Sequence, residues 1–443
     1  MAVLAIVLGS FAVALVAHSL FSVSIMLDAW DAPERLRATG GPDALCEPQL
    51  SFTALLPARE EERVIADTIA RVWNASYPRD LLEIIVICQR DDVGTIAAAS
   101  RQIKALGAQT VKLAIYDKPP FNKPHALAVG HAASSNEVVA VFDAEDDVDP
   151  EIFSLINTVM LERGVGVVQG GVHLVNFSDH WFSVFNCLEY FFYFRSRMHF
   201  NARMGLVPLG GTTVFIKREL VDRVGGWDER CLTEDADIGI RISALGEPIS
   251  VVYDSRRVTR EETPHSVRSF VRQRTRWNQG FLQILGRGDW RRLPRWRQRA
   301  LAVFTLSQPL LDALLIGYVA VMPLSLIFLR LPVLAAILTL LPLYVVGFQL
   351  LANLVGIIVF ARCFGERVPK RVLLRMPFTF LPYQWLLGYS ALRAVVRHVV
   401  GRGEWEKTEH VGAHRRLARS PVLPQPAGLR AHSSSVLQEE LRR

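Results

Sequence analysis

Val138-Val139-Ala140-Val141-Phe142-Asp143-Ala144-Glu145-Asp146-Asp147 decides the fold of this chain. A short β-branched run that ends abruptly in carboxylates, with Pro150 opening a helical stretch soon after, reads as a buried strand delivering acids to its carboxyl end. Ligands of parallel sheets gather just there. Outward from it, residues 50–56, 84–88, 111–116 and 167–172 read as further buried strands. Residues 61–73, 95–106, 124–133 and 150–163 alternate with them as helices. The alternation predicts an α/β domain with a mainly parallel, Rossmann-like sheet covered on both faces, spanning residues 50–265.

The sequence on either side is of another kind. Residues 1–28 are almost continuously apolar, longer than the roughly 20 residues that cross hydrocarbon, and lack the basic n-region of a cleaved signal. They are expected to form a transmembrane helix, joined to the α/β domain by a linker over 29–49. Residues 266–300 form a basic amphipathic segment, and 301–361 an expected transmembrane hairpin broken at Arg330-Leu331-Pro332. Over 362–414 a basic loop leads into an apolar stretch at 377–396. Pro382, Gln384 and Arg393 interrupt that stretch, which reads as an interfacial helix with a fourth crossing as the alternative. Residues 415–443 carry few apolar side chains and are expected to be disordered.

Half of the 443 residues are hydrophobic while 21% are charged, a mixture that suits a soluble domain fused to membrane helices. The net charge of +7 gathers beside the apolar segments, as at Arg291, Arg292, Arg295, Arg297 and Arg299. Positive-inside topology explains that placement without a nucleic-acid partner. Five scattered cysteines without C-x-x-C spacing give neither a zinc site nor a disulfide framework.

Chemistry is concentrated in four places. Asp143 and Glu145, one residue apart, are hard oxygen donors suited to Mg²⁺ or Mn²⁺ against a diphosphate; a solvated acidic loop is the plainer alternative. Asp91-Asp92 follows a strand end and suits a base or ribose, or a simple turn. Thr233-Glu234-Asp235 is either a helix N-cap or, with Asp235 buried beside a substrate, a general base. In Gln273-Arg274-Thr275-Arg276-Trp277, helical spacing puts Gln273, Arg276 and Trp277 on one face and Arg274 on another. A guanidinium there suits a diphosphate and an indole suits the face of a sugar ring.

Taken in order, these motifs resemble family 2 glycosyltransferases of the cellulose synthase-like and hyaluronan synthase-like branch. Pro57-Ala58-Arg59-Glu60-Glu61 follows the first strand. Asp143-Ala144-Glu145 stands for the family's D-x-D, Thr233-Glu234-Asp235 for its T-E-D, and Gln273 to Trp277 for its Q-x-x-R-W. Gly210-Gly211-Thr212 and Gly225-Gly226-Trp227-Asp228 fall between them, and Trp405-Glu406-Lys407-Thr408-Glu409-His410 resembles a tail motif of membrane members.

The resemblance implies a GT-A domain on the cytosolic face of a cell membrane, flanked by transmembrane and interfacial helices. The enzyme it implies takes a nucleotide sugar, a UDP-sugar in the first instance, and makes β-glycosidic bonds by inversion. The acceptor is a growing polysaccharide or a lipid-linked glycan, with single-sugar transfer to a lipid carrier or an inactive scaffold as alternatives, and any export partner is left undefined. By the same resemblance Glu61, Asp91 and Asp92 lie at the nucleoside and Lys123 at the diphosphate. Asp143 and Glu145 hold the metal, with Asp146 sharing or replacing the role of the longer Glu145. Asp235, beside Glu234, is the base. Arg276 reaches the donor diphosphate, and Gln273, Trp277, Gly210 and Gly211 face the acceptor. Lys123-Pro124-His125-Ala126-Leu127-Ala128 lacks the asparagine usual in that segment, which leaves the donor sugar open.

Overall fold

The computed structural model describes residues 2–30, 34, 39–328, 333–403 and 406. The tail motif apart from Glu406, and the stretch 415–443, lie outside the described residues.

A seven-stranded sheet organises the chain in the order β3-β2-β1-β4-β7-β5-β8. The strands are β1 (Phe52–Ala58), β2 (Leu82–Gln89), β3 (Val111–Tyr116), β4 (Val138–Val141), β5 (Val167–Gly170), β7 (Val214–Lys217) and β8 (Ile249–Val252). All neighbours pair in parallel except β7, which runs antiparallel to both β4 and β5. The mainly parallel α/β domain expected from the sequence is therefore present.

The expected strand at 167–172 is two strands. β5 stops at Gly170, and β6 (Val172–Leu174) turns away to pair with β9 (Thr259–Glu261) in a separate ribbon. The junction is close-packed, since a side chain at Gly171 would strike the ring of Tyr253.

Alternating side chains explain why both faces are buried. On β1 and β2, Phe52, Ala54, Leu56, Ile84 and Val86 join one apolar cluster with Ile69 and Phe153 of the covering helices. Leu55, Ile85 and Ile87 point the other way, into a second cluster. That second cluster does not stop at the domain edge. It continues through Phe185, Leu188 and Phe191 to Ile357, Phe360, Met376, Phe380 and Tyr383 of the C-terminal helices.

The apolar flanks are helical. Ala2–Leu27 is one helix, Val333–Phe364 another, and Trp296–Leu306 and Gln308–Phe328 form a pair bent by 47° at Ser307. Among the described residues two helices are long and apolar enough to cross a membrane, or three if the bent pair is one span. The expected interfacial segment at 377–396 lies inside a longer helix, Lys370–Val399, packed against both Val267–Arg287 and Gln308–Phe328. The helix that sequence periodicity passed over is Ser183–Phe192, which continues through a π-turn at Tyr193–Arg197 into Met198–Met204. Its many buried aromatics hide a helical period, and π-turns are frequent at functional sites.

Candidate active site

The strand order reverses at β1, with β2 on one side and β4 on the other, and that is the crevice where parallel sheets take ligands. A cavity of about 530 Å³ opens there. Its near wall is built from the ends of β1 and β4: Pro57, Arg59 and Glu61 from the first, Asp143 and Glu145 from the second.

Two short loops with strained backbones shape this wall. Glu60 has φ 57° and Thr213 φ 53°, a left-handed conformation that non-glycine residues seldom take and that clusters at functional sites. Asp92 accepts the Glu60 N–H at 2.5 Å, and the Thr95 hydroxyl accepts the Glu61 N–H at 2.9 Å. Because Glu60 turns the chain, the helix expected from residue 61 begins instead at Ile65. Asp91 and Asp92 themselves do not line the cavity. Asp92 caps the helix Val93–Leu106 by accepting the Thr95 N–H, so its work on the fold is to fix the loop that carries Glu61.

The acidic run divides by direction. Asp143 and Glu145 face the cavity; Asp146 and Asp147 turn into the scaffold. Asp146 is fully buried, accepts the Thr212 hydroxyl and the Asp143 N–H, and is held well above the usual carboxylate range by burial and then by Asp143 and Glu145. Asp147 pairs with Arg71, and its backbone bridges Arg260. Asp146 thus stands behind the turn rather than on its cavity face, and the extra methylene of Glu145 is not made up by its neighbour. Two cavity-facing carboxylates one residue apart form a hard-oxygen donor set of the kind that would fit Mg²⁺ or Mn²⁺.

Lys123, the first residue of the helix Lys123–Ala133, crosses the cavity floor. Its ammonium binds Asp143, donates to the Gly211 carbonyl at 2.7 Å and lies 3.9 Å from Glu234. Burial acts to lower its pKa, but the surrounding Asp143, Glu234 and Asp235 carboxylates outweigh that and raise it. The amine stays charged. Gly211 keeps this corner open, since a Cβ would sit 3.2 Å from Asp235 Oδ2 and 3.3 Å from Lys123 Nζ and press on both.

Thr233-Glu234-Asp235 opens the helix Glu234–Ala244, but Thr233 makes no side-chain cap hydrogen bond and its buried hydroxyl has no partner. The acids instead line the cavity. Burial, with Asp235 next to it, pushes Glu234 up to about 7. Asp235 is likewise raised by burial, with Lys123 opposing. The upward shift makes the half-buried Asp235 carboxylate a better proton acceptor, the direction a general base requires.

The helix Val267–Arg287 brings Gln273, Arg276 and Trp277 to the cavity, as helical spacing predicts. It also brings Arg274, which the sequence put on a different face. Arg274 donates to Asn186 and Glu189, both at 2.5 Å, and its guanidinium stacks 4.7 Å from the Trp277 ring. Glu189 also accepts the Tyr383 hydroxyl at 2.7 Å. Helical spacing alone missed this because Asn186 and Glu189 reach Arg274 from a separate helix, Ser183–Phe192. Tyr190, Tyr193 and Arg197, also absent from the sequence reading, complete this wall. The one signal for them was polar residues recurring among aromatics.

Residues 48–280 match the family model described as glycosyltransferase like family 2, and the chain belongs to that family. It is 30% identical over 237 residues to a probable glycosyltransferase, YdaM, of Bacillus subtilis, covering 52% of this chain and 54% of the relative. It is 25% identical over 244 residues to a beta-monoglucosyldiacylglycerol synthase of Trichormus variabilis, covering 53% and 50%. The chain spans about half the length of these curated relatives. Among solved structures, a mannosyltransferase from Pyrobaculum calidifontis in complex with GDP-Man and Mn²⁺ superposes with a TM-score of 0.56 at 19% identity, over 89% of this chain and 99% of that one. The GT-A-like fold is shared.

Proposed function

We propose that this protein is a membrane-bound inverting glycosyltransferase, which moves a sugar from a nucleoside diphosphate to a hydroxyl of a glycan or lipid-linked acceptor. The observation that carries the reading is one cavity whose walls hold a metal-type acid pair, Asp143 and Glu145, and a separate half-buried acid, Asp235, with Lys123 between them. The nucleotide sugar takes the switch-point end, its nucleoside against the Glu61 loop and its diphosphate toward Lys123 and Arg276. Mg²⁺ or Mn²⁺, held by Asp143 and Glu145 when bound, offsets the charge that develops on the departing diphosphate. Asp235 takes the proton of the acceptor hydroxyl as oxygen attacks the anomeric carbon from the face opposite the leaving group. A single displacement inverts that carbon, so an α-linked donor gives a β-glycoside. Trp277 and Gln273 position the acceptor, with the indole against a sugar face.

A cytosolic placement of the catalytic domain is supported by charge. The arginines of 291–299 lie where Leu293 packs on Leu206 and Cys231 of the domain, and the basic stretch 362–375 follows the helix end where Phe364 stacks on His173. Both basic stretches therefore meet the membrane on the domain's side. The test is to incubate membranes containing the protein with radiolabelled UDP-glucose, UDP-N-acetylglucosamine, UDP-galactose and GDP-mannose, each with Mg²⁺ or Mn²⁺, and to size the product. One donor should label a lipid or polymer with release of its nucleoside diphosphate; product length separates chain growth from single transfer. No metal-dependent release from any donor tells against the reading.

A further inference from the structure

Glu406 of the tail motif has no part in the mechanism above, yet it is closely held. Arg393 donates to both of its carboxylate oxygens, Nη1 to Oε2 at 2.8 Å and Nη2 to Oε1 at 2.6 Å, and Arg397 Nη1 donates to Oε1 at 3.1 Å. Both arginines belong to the C-terminal helix Lys370–Val399. Hydrogen bonds from Arg393, with the charges of Arg397 and Arg272 added and partial burial opposing, hold the carboxylate below its usual range. It stays ionised.

Arg397 carries the contact onward. Its Nε donates at 3.1 Å to Oε1 of Gln279, on the helix Val267–Arg287, and Gln279 Nε2 donates to the Arg402 carbonyl. Gln279 is only 2% exposed, so both ends of a buried carboxamide are taken by the C-terminal helix and the chain just beyond it. Leaving either end unpaired is costly, which fixes where this helix can sit. Gln279 stands two residues after Trp277 and next to Gly280, which abuts Thr233 directly before the acids. The helix of Arg276 and Trp277 is thus held from two sides, by Thr233 and by the chain that runs on to Glu406.

Magnitude decides what the clamp is for. The Glu406 and Arg393 side chains remain 24% and 27% exposed, and ion pairs that water reaches add little to stability. Rate is far more sensitive, since a misplacement near 1 Å costs on the order of 10²-fold, and a two-bond arginine fork sets geometry as well as attraction. Resting on the glycosyltransferase reading above, we propose that Glu406 is a positioning residue for transfer, which through Arg393, Arg397 and Gln279 holds the helix of Arg276 and Trp277 in register with Asp235.

The test uses the full-length protein in nanodiscs, with the donor identified by the membrane screen. Glu406→Gln keeps the size of the side chain and removes the charge that two arginines share; Gln279→Leu keeps bulk and removes both bonds. Each should lower kcat about ten-fold or more, while nucleoside diphosphate Kd, measured by calorimetry, stays within about three-fold of wild type. The Tm of Glu406→Gln should fall by about 4 °C or less. Because both changes act on one contact path, the double variant should be no slower than the slower single. Arg402→Ala, which spares the backbone carbonyl that Gln279 uses, should transfer at the wild-type rate.

Wild-type kcat in Glu406→Gln overturns the proposal, and so do losses that multiply in the double variant or an equal loss in Arg402→Ala. A fall in kcat that comes with a large fall in Tm shows a structural role alone and overturns it as well. A wild-type protein that neither binds a nucleoside diphosphate nor transfers from any donor counts instead against the underlying enzyme reading.

Discussion

Gly280 of the Q-x-x-R-W helix lies against Thr233, so close that a Cβ at residue 280 would overlap the threonine hydroxyl and methyl. Thr233 immediately precedes Glu234 and Asp235, so the helix carrying Arg276 and Trp277 and the acid pair are pressed into one unit at this contact. Their relative position is set by the absence of a side chain.

Gly280→Ala should therefore damage transfer more than its size suggests. Overpacking costs about 1–3 kcal/mol of stability, and a displacement near 1 Å of Asp235 costs on the order of 10²-fold in rate. Turnover and thermal unfolding measured on the same preparation check this. Wild-type kcat in a variant that melts only slightly lower removes the positional role of the contact.

Asp235→Asn keeps the shape of the side chain and deletes the proposed base. Transfer should fall by about 10²-fold or more while nucleoside diphosphate binding stays within a few-fold of wild type. Turnover near the wild-type rate would show that Asp235 serves the helix start and nothing else.

Arginine chemistry at the cavity wall is separable by two lysine substitutions. Arg276→Lys keeps charge and loses the planar fork, so transfer should fall with little change in stability. Arg274→Lys should lower stability as well, by about 1–3 kcal/mol, because Arg274 ties Asn186 and Glu189 together under Trp277 and lysine cannot replace both bonds. Equal melting temperatures for the two variants would contradict this division.

Removal of divalent cations with EDTA should abolish transfer, and Mn²⁺ or Mg²⁺ should restore it. Asp143→Asn and Glu145→Gln should each raise the metal concentration needed for half-maximal rate by about ten-fold or more, whereas Asp146→Asn should leave it unchanged. A metal titration of the three variants decides it. A shift in Asp146→Asn as large as in Glu145→Gln would return Asp146 to the metal.

Much of this was legible in the sequence because it rests on local signals. A β-branched run ending in acids marks β4 and the carboxylates beyond it, and four ordered motifs each supply residues that line one cavity. What sequence periodicity could not supply were relationships set by tertiary contact. Asp146 turns away from the cavity that Glu145 faces because it accepts the Thr212 hydroxyl, from another loop, and the Asp143 N–H. Arg274 differs from a solvated arginine only because Glu189 and Asn186 arrive from a helix whose apolar aromatics mask its own period. For Asp92 the sequence left a ligand contact and a simple turn open, and the helix start that it caps is visible only in the structure.

The apolar cluster that joins Leu55 and Ile85 of the sheet to Phe360, Met376, Phe380 and Tyr383 of the C-terminal helices bears on how such a protein can be handled and how it can diversify. A fragment cut after residue 265 would strip the cover from Phe185, Leu188 and Phe191, which the C-terminal helices help to bury, and should aggregate through that patch. For the same reason recombination that exchanges only the nucleotide-binding half between relatives leaves mismatched surfaces at this seam. The cavity ends of β1 and β4 and the C-terminal helices are thus joined by one continuous apolar core.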